Sequence, residues 1–300
     1  IFYMKSLLFI GGTGFLGQSF FDYINEGHLK TLKLSQIIII SRKLKKIKSK
    51  IKIKFIKKNI KNIKKIPVTD FIIYGANSSN NKENLDGFYN FKNLLTKKHL
   101  NTKILFTSSG AVYGTRNIKS KMKEKEIVSF KKIKNFHGYK KDYAKTKLIL
   151  EKEFCRLTKI GFKITIARLF SFIGKRILHN NHFAVTNLIS QAKNNKKIIL
   201  NDSRDVYRGY MNSQDLIRWL IKMLINADTK CSCYNVGSDE AIKIEDLAKM
   251  IAKKFNKKIF KKKGKLKNQI DFYVPSVMKS KKDLNLKLNF DIKKSLNQLI

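Results

Sequence analysis

The hydrophobic pattern of this chain alternates between short apolar runs and longer amphipathic stretches. Largely apolar runs of four or five residues occupy positions 6–10, 36–40, 71–74 and 103–106. Runs of this length, bounded by turn residues, are typical of strands that are buried on both faces of a parallel sheet. Between them, apolar residues recur every three or four positions, which predicts helices. This order of elements predicts an α/β fold with a doubly wound, mainly parallel sheet and helices on both faces.

A glycine-rich turn connects the first predicted strand to the first predicted helix. It satisfies both G-x-G-x-x-G and the related pattern G-x-x-G-x-x-G. Such glycines permit a sharp turn, let backbone N–H groups approach a pyrophosphate and let the helix pack closely on the strand. The positive end of the helix then faces the phosphates. The turn predicts a dinucleotide site, although a glycine turn without a ligand would show the same pattern. The predicted cofactor contacts are Gly11, Gly12, Thr13, Gly14, Phe15, Leu16 and Gly17.

Two further strand ends are expected to line the same crevice. Ser41 and Arg42 follow the second strand. An acidic residue at this place would bind the 2′-hydroxyl of NAD, whereas an arginine suits the 2′-phosphate of NADP. The predicted cofactor is therefore NAD or NADP with NADP favoured, although an exposed arginine is common in any case. Small residues end the next strand and place Ala76 among the cofactor contacts.

A tyrosine and a lysine with a four-residue spacing begin a predicted helix over residues 139–159. Tyr143 and Lys147 therefore share one face of that helix. A free tyrosine has a pKa near ~10, and a lysine ammonium together with a nicotinamide cation would favour the phenolate. Ser109 ends the neighbouring strand and can hydrogen-bond the same substrate oxygen. Together the three predict an acid–base site for hydride transfer, in which Tyr143 and Lys147 also contact the cofactor. Tyr139 is a rival tyrosine, but the residue four positions after it is a tyrosine.

The charge of the chain is strongly positive, with 65 Lys and Arg against 21 Asp and Glu and a formal net charge of +44. Binding of a polyanion would account for such a charge. However, lysine is spread along the whole chain, and isoleucine and asparagine are also abundant, which favours a bias in composition. We predict no specific nucleic-acid partner and only salt-dependent, non-specific binding to polyanions.

Several other classes of protein are disfavoured by the sequence. No apolar run approaches the ~20 residues of a membrane span, and the first residues lack the pattern of a secretory signal peptide. His179 and His182 have no cysteine or carboxylate neighbours, so we predict no metal site. Three cysteines are predicted to be reduced, which fits a cytoplasmic location: Cys155, Cys231 and Cys233.

At these motifs the chain resembles the extended short-chain dehydrogenase/reductase family, in its nucleotide-sugar epimerase/dehydratase branch. The glycine turn, the strand end over residues 108–114 and the helix around Tyr143 stand where that family has its cofactor turn, active-site strand and catalytic helix. The resemblance implies a Rossmann-type lobe over residues 1–174 and a smaller α/β substrate lobe over 175–300, some of whose strands are expected to return to the main sheet. It also implies a nucleotide-sugar substrate, and it suggests a homodimer.

The same resemblance implies further contacts. It places Ser108 at the cofactor, and it implies substrate contacts at Ser109, Ser171, Asn187 and Arg208. A second arginine for the substrate diphosphate is expected near Tyr273, and the chain has none there.

One departure from the family pattern bears on the reaction. Gly110 and Ala111 stand where the 4,6-dehydratases carry an acidic pair, so the chain lacks a carboxylate that could protonate a leaving hydroxyl. The resemblance therefore implies 4-epimerisation through a transient 4-keto sugar, and Arg168 is expected to be structural or to adjoin the cofactor. An NADPH-dependent reductase of nucleotide 4-keto sugars is the alternative. A non-catalytic dinucleotide-sensing or RNA-binding relative is disfavoured because Tyr143 and Lys147 are both present.

Overall fold

Strands and helices alternate along most of the chain, as the hydrophobic pattern predicts. The computed structural model describes residues 4–28, 32–134, 136, 138–177, 183–262 and 269–300. Its strands are β1 Lys5–Ile10, β2 Leu34–Ser41, β3 Lys52–Lys57, β4 Phe71–Tyr74, β5 Lys103–Ser109, β6 Lys163–Leu169, β7 Ser171–Ile173, β8 Lys197–Leu200, β9 Asp205–Arg208, β10 Tyr210–Asn212, β11 Ser232–Val236, β12 Ile242–Lys243, β13 Lys258–Lys261 and β14 Ile270–Tyr273. Its helices are α1 Phe15–Asn25, α2 Asn81–Leu94, α3 Gly138–Thr158, α4 Ala184–Asn194, α5 Ser213–Ile225, α6 Ile244–Phe255, α7 Met278–Leu284 and α8 Ile292–Asn297.

Seven strands of the described chain form one parallel sheet in the order β11-β6-β5-β4-β1-β2-β3. The strand order reverses between β1 and β4, because the chain first builds outward from β1 to β3 and then returns to the other side of β1. At such a switch point the loops leave the strand ends in opposite directions and open a crevice, which is where ligands bind in sheets of this kind. The predicted doubly wound α/β fold is confirmed.

Helices cover both faces of this sheet, which is why its central strands are apolar throughout. Phe20 of α1 and Trp219 of α5 pack in the cluster on one face. Phe88 of α2 and Phe154 of α3 pack in the cluster on the other. Burying one large apolar side chain contributes about 1.5–3 kcal/mol, so the two clusters fix the strands whose ends carry the predicted site.

The second half of the chain adds shorter sheets and a third apolar cluster. β9 pairs with β12 and β14, β7 pairs with β10, and β8 pairs with β13. Val185 of α4 and Leu247 of α6 pack together in the cluster of this lobe. β11 belongs to the main sheet instead, where it pairs with β6. The boundary at residue 174 stays a prediction. None of the helices that the structure describes is long and apolar enough to cross a membrane.

The predicted reduced state is wrong for two of the three cysteines. The structure bonds Cys155, near the end of α3, to Cys231, immediately before β11. Because α3 leads into β6 and β11 pairs with β6, the fold brings together two residues that are 76 positions apart, with their Cα atoms 5.4 Å from each other. Spacing along the sequence gives no sign of this. Cys233 remains a thiol, and burial raises its pKa to about 12.

Candidate functional site

The glycine turn after β1 is shaped by close backbone contacts. Gly11 has a φ of +84°, and a Cβ atom there would lie 2.8 Å from the backbone of Ala76. At Gly17 a Cβ atom would lie 1.9 Å from the carbonyl oxygen of Gly12. Gly14 precedes α1, and no side chain of the described residues caps that end of the helix. The first-turn N–H groups of α1 are therefore left for a ligand or solvent.

A cleft of about 440 Å³ opens over this turn, at the switch point of the sheet. Its wall includes Gly11, Thr13, Gly14, Phe15, Leu16, Ser41, Arg42 and Ala76, which are all predicted cofactor contacts. Gly12 and Gly17 lie beneath this wall, where they permit its close packing. The cleft, the exposed N–H groups and the absence of Cβ atoms fit the diphosphate of a dinucleotide.

The adenosine end of the cleft contains the tip of β2. The hydroxyl oxygens of Thr13 and Ser41 are 2.6 Å apart. The Arg42 guanidinium donates to the Glu83 carboxylate at 2.9 Å, across the mouth of the cleft. Lys43 and Lys58 line the same end. The local charge is thus positive, but Arg42 reaches a 2′-phosphate only by leaving or sharing Glu83.

The three predicted catalytic residues lie together at the carboxyl end of β5. The Lys147 ammonium lies 5.7 Å from the centre of the Tyr143 ring, and the Ser109 hydroxyl is close enough to the Tyr143 phenol to lower its pKa. That ammonium donates to the backbone oxygen of Thr107 at 3.0 Å. Because α3 packs against β5, a tyrosine and a lysine one helical turn apart both face the strand end.

Burial dominates the electrostatics of this group. It raises the pKa of Tyr143 above its usual range, and the hydrogen bond from Ser109 offsets only part of that increase. Burial also lowers the pKa of Lys147 to about 8, against the opposing effect of Glu151. The expectation that Lys147 lowers the pKa of Tyr143 is therefore not met by the protein alone, since the ammonium is directed towards Thr107. A nicotinamide cation in the crevice would add the missing positive charge.

A buried polar network lies directly behind the site. The Arg168 guanidinium donates to both oxygens of Glu151, at 2.7 and 3.0 Å, and to the Tyr113 hydroxyl at 2.9 Å. The Ser108 hydroxyl donates to Glu151 at 2.5 Å. The side chain of Ser108, predicted to contact the cofactor, is thus directed into the protein. Arg168 supports the end of β5, in line with the structural role expected of it.

The other predicted substrate residues, Ser171, Asn187 and Arg208, lie on three different elements. The Arg208 guanidinium holds the Asp271 carboxylate through two hydrogen bonds of 3.0 and 3.2 Å. Asn187 lies in a separate cleft of about 190 Å³, which Arg204 also lines. Ser171 begins β7, opposite Tyr210 of β10. The Arg208 guanidinium also lies 5.8 Å from the centre of the Tyr273 ring.

Tyr273 is a site residue that the sequence analysis does not predict. Its hydroxyl lies 2.7 Å from the place that a Cβ atom of Gly110 would occupy, and its ring packs on Phe170 with the ring centres 4.7 Å apart. Ser109 is close enough to this phenol to lower its pKa, against the larger opposite effect of burial. Tyr273 stands near the position expected for the missing second arginine. Tyr273 and Ser109 are separated by more than half of the length of the chain, and no local sequence motif connects them.

Metal binding finds no support among the residues described. These contain no group of three or more His, Cys, Asp and Glu side chains that could hold a metal ion. His179 and His182 lie outside the described residues.

Comparison with known families connects this geometry to an enzyme class. A model of the NAD dependent epimerase/dehydratase family matches residues 7–237. The chain belongs to this family. It is therefore an NAD-dependent enzyme of the epimerase/dehydratase family, and the predicted resemblance and an NAD(P) cofactor are confirmed at that level. No curated protein sequence matches the chain.

Solved structures of the epimerase/dehydratase type share its fold at low sequence identity. The dTDP-glucose 4,6-dehydratase of Bacillus anthracis, in complex with NAD, is 16% identical with a TM-score of 0.77, and the match covers 98% of this chain and 94% of that chain. The UDP-glucose 4-epimerase of Thermotoga maritima, with UDP-glucose, is 17% identical with a TM-score of 0.77, covering 98% and 96%. The Helicobacter pylori ADP-L-glycero-D-manno-heptose-6-epimerase is 18% identical with a TM-score of 0.75, covering 98% and 94%.

Proposed function

We propose that this family member is a nucleotide-sugar 4-epimerase that acts through a transient 4-keto sugar. The observation that carries the proposal is the grouping of Ser109, Tyr143 and Lys147 at the strand end beside the cofactor cleft. The substrate named for the Thermotoga maritima enzyme is consistent with it. Arg208 would meet the substrate diphosphate by exchanging Asp271 for phosphate oxygens, and the cleft around Asn187 would take the nucleoside.

Each residue of the group has a defined task in this scheme. When bound, the nicotinamide ring supplies a hydride acceptor and donor for carbon 4 of the sugar. Tyr143 takes the proton of the 4-hydroxyl as that carbon is oxidised, and it returns the proton when the carbonyl is reduced on the opposite face. Ser109 holds the same oxygen. Lys147 supplies a positive charge over the Tyr143 ring, and its pKa of about 8 leaves it mainly protonated at neutral pH.

The space beside Ser109 argues against elimination of water. A Cβ atom on Gly110 would lie 2.6 Å from the Phe170 ring and 2.7 Å from the Tyr273 hydroxyl. Position 110 carries no carboxylate in the sequence, and the site has no room for one there. A leaving hydroxyl at carbon 6 would find no acid there.

The alternative is net reduction of a nucleotide 4-keto sugar by NADPH with the same residues. The cleft is lined by Arg42, Lys43 and Lys58, which would suit a 2′-phosphate and so support this alternative without deciding it. The choice between the two reactions depends on the fate of the cofactor: epimerisation regenerates the oxidised cofactor within one turnover, whereas reduction consumes NADPH and leaves NADP⁺.

A mixing experiment separates these reactions. The purified enzyme is incubated with UDP-glucose, UDP-N-acetylglucosamine or dTDP-glucose and with NAD⁺ or NADP⁺, and the sugar at carbon 4 is followed by NMR. An epimerase forms the other epimer without added reductant. A reductase acts only on the corresponding 4-keto sugars and consumes NADPH in proportion to product. Tyr143→Phe is expected to lose at least about 10²-fold in rate, and unchanged turnover in this variant would refute the proposal.

Mass spectrometry of ligands released from the purified protein would identify the bound dinucleotide and any nucleotide sugar directly. The predicted homodimer is kept as part of the same proposal, and gel filtration with light scattering tests it. The predicted cytoplasmic location is kept as well, but without the support of reduced cysteines, since Cys155 and Cys231 are bonded.

A further inference from the structure

Glu83 places a carboxylate in the wall of the cofactor cleft. It lies in the first turn of α2, where its backbone N–H donates to the Asn80 side chain at 3.2 Å and so fixes the start of the helix. Among the described residues that line the cleft it is the one acid, against three cations, Arg42, Lys43 and Lys58. The proposed reaction does not use this carboxylate.

Three donors from two loops meet on the Glu83 carboxylate. The Arg42 guanidinium, which follows β2, donates to Oε2 at 2.9 Å. The Asn59 amide, which follows β3, donates to Oε1 at 2.5 Å, and the Lys61 ammonium lies 3.8 Å from the same oxygen. The Glu83 side chain is 18% exposed, whereas that of Arg42 is 53% exposed. Glu83 is therefore an anion surrounded by donors at the end of the cleft that contains the tip of β2.

The surroundings keep this carboxyl group ionised. The Ser78 hydroxyl lowers the pKa of Glu83 most, Arg42, Asn59 and Lys61 lower it further, and burial opposes them, so that the pKa lies below its usual range. An ionised carboxylate only accepts hydrogen bonds. Glu83 therefore brings a negative charge and no donor to the cleft at neutral pH.

The two forms of the cofactor differ at the group that meets this end of the cleft. In folds of this kind an acidic residue after the second strand accepts from the 2′-hydroxyl of NAD, whereas an arginine receives the 2′-phosphate of NADP. Here Arg42 stands at the tip of β2, and a carboxylate reaches it from α2. A 2′-phosphate would compete with Glu83 for the guanidinium, and the same carboxylate would repel its negative charge. A 2′-hydroxyl is uncharged, and it can donate to Glu83.

We propose that Glu83 is a specificity residue that favours NAD over NADP, because it holds Arg42 and places a negative charge beside the group that would bind a 2′-phosphate. This inference goes beyond the proposed function, since it concerns the choice of cofactor and not the reaction. Arg42 alone predicts NADP, and Glu83 reverses that preference. The acidic residue typical of NAD sites in such folds is then supplied by α2 instead of the tip of β2.

The test is isothermal titration calorimetry with NADH and with NADPH. The wild type is expected to bind NADH more tightly than NADPH. Glu83→Gln keeps the shape of the side chain and removes its charge, so it is expected to raise the affinity for NADPH about tenfold or more. The affinity for NADH should change little, because a glutamine oxygen still accepts from a 2′-hydroxyl.

Two further variants separate this effect from a general change in charge. Asp86→Asn is the matched control, because Asp86 is an exposed acid of the same helix that is not among the residues lining the cleft. It is expected to leave both affinities unchanged. In the Arg42→Ala background, Glu83→Gln is expected to raise the affinity for NADPH by less, because no guanidinium is released there.

An unchanged ratio of the two affinities in Glu83→Gln would overturn the inference, and so would a shift of equal size in Asp86→Asn or an equal gain with and without Arg42. If circular dichroism shows Glu83→Gln to be unfolded, the wild type decides alone, and tighter binding of NADPH than of NADH overturns the inference. The titrations need no turnover, so their result is separate from that of the proposed function. Full activity of Tyr143→Phe would refute the function even where the cofactor preference is as expected.

Discussion

Removing the buried arginine behind the active site is expected to destabilise the enzyme far more than removing a surface arginine. Both guanidinium and carboxylate of the Arg168–Glu151 pair are 7% exposed, and the pair makes two hydrogen bonds. In Arg168→Met the Glu151 carboxylate would keep a hydrogen bond only from the Ser108 hydroxyl among the contacts described, and Lys147 would be left as a cation that interacts with its charge. Leaving one charge of a buried pair uncompensated costs about 3–5 kcal/mol.

Arg176 offers a matched control at the protein surface. Its guanidinium also holds a carboxylate through two hydrogen bonds, that of Asp22, but the two side chains are 46% and 34% exposed. Exposed ion pairs contribute at most about 1 kcal/mol, so Arg176→Met is expected to change stability little.

The assay is urea unfolding followed by tryptophan fluorescence and circular dichroism, with the free energy of unfolding taken from midpoints at a constant slope. The double variant Arg168→Met/Glu151→Leu is expected to regain most of the lost stability, because it removes the unpaired charge as well. Equal losses in Arg168→Met and Arg176→Met would refute the reasoning. So would a double variant no more stable than Arg168→Met.

Three further outcomes are expected at the cofactor cleft. Gly17→Ala should lose about 3 kcal/mol or more of stability through overpacking, because its Cβ atom would overlap a backbone oxygen. Gly14→Ala should keep most of its stability, because the nearest contact of its Cβ atom would be 3.7 Å away. Equal shifts of the thermal unfolding midpoint in the two variants would contradict this. Arg42→Ala should weaken NADPH binding about tenfold or more, because a charge-assisted hydrogen bond is lost. The affinity for NADH, measured by calorimetry, should change little. Equal losses of affinity for the two cofactors would exclude a contact between Arg42 and the 2′-phosphate. Burial lowers the pKa of Lys147 to about 8, so the ammonium loses its proton as the pH rises through that value. Cofactor affinity measured by fluorescence should therefore fall between pH 7 and 9. Lys147→Met should remove this pH dependence.

The strands of the main sheet could be predicted because their signal is local. The apolar run that ends at Ile10 has to be buried on both faces, and the glycines after it have to turn, so strand, turn and helix follow from neighbouring residues. The pairing of Tyr143 with Lys147 could be predicted for a similar reason, since residues four positions apart share one face of a helix.

The remaining parts of the site depend on contacts between distant parts of the chain. Tyr273 reaches Ser109 because β14 pairs with β9 and because the segment around Met122 holds the strand end. The direction of the Ser108 hydroxyl and the partner of Arg42 are set by carboxylates on other elements. No hydrophobic period, apolar run or motif spacing in the sequence predicts these contacts between distant residues.

β11 is synthesised long after β6, the strand it pairs with, and this affects folding during synthesis. During synthesis the outer edge of β6 has no neighbour until residues 232–236 have left the ribosome. Unpaired backbone groups along a strand edge invite pairing with another molecule, so the nascent protein is exposed to misassembly over that interval. A product cut short after residue 174 would keep this edge bare indefinitely, and it is expected to accumulate as insoluble material.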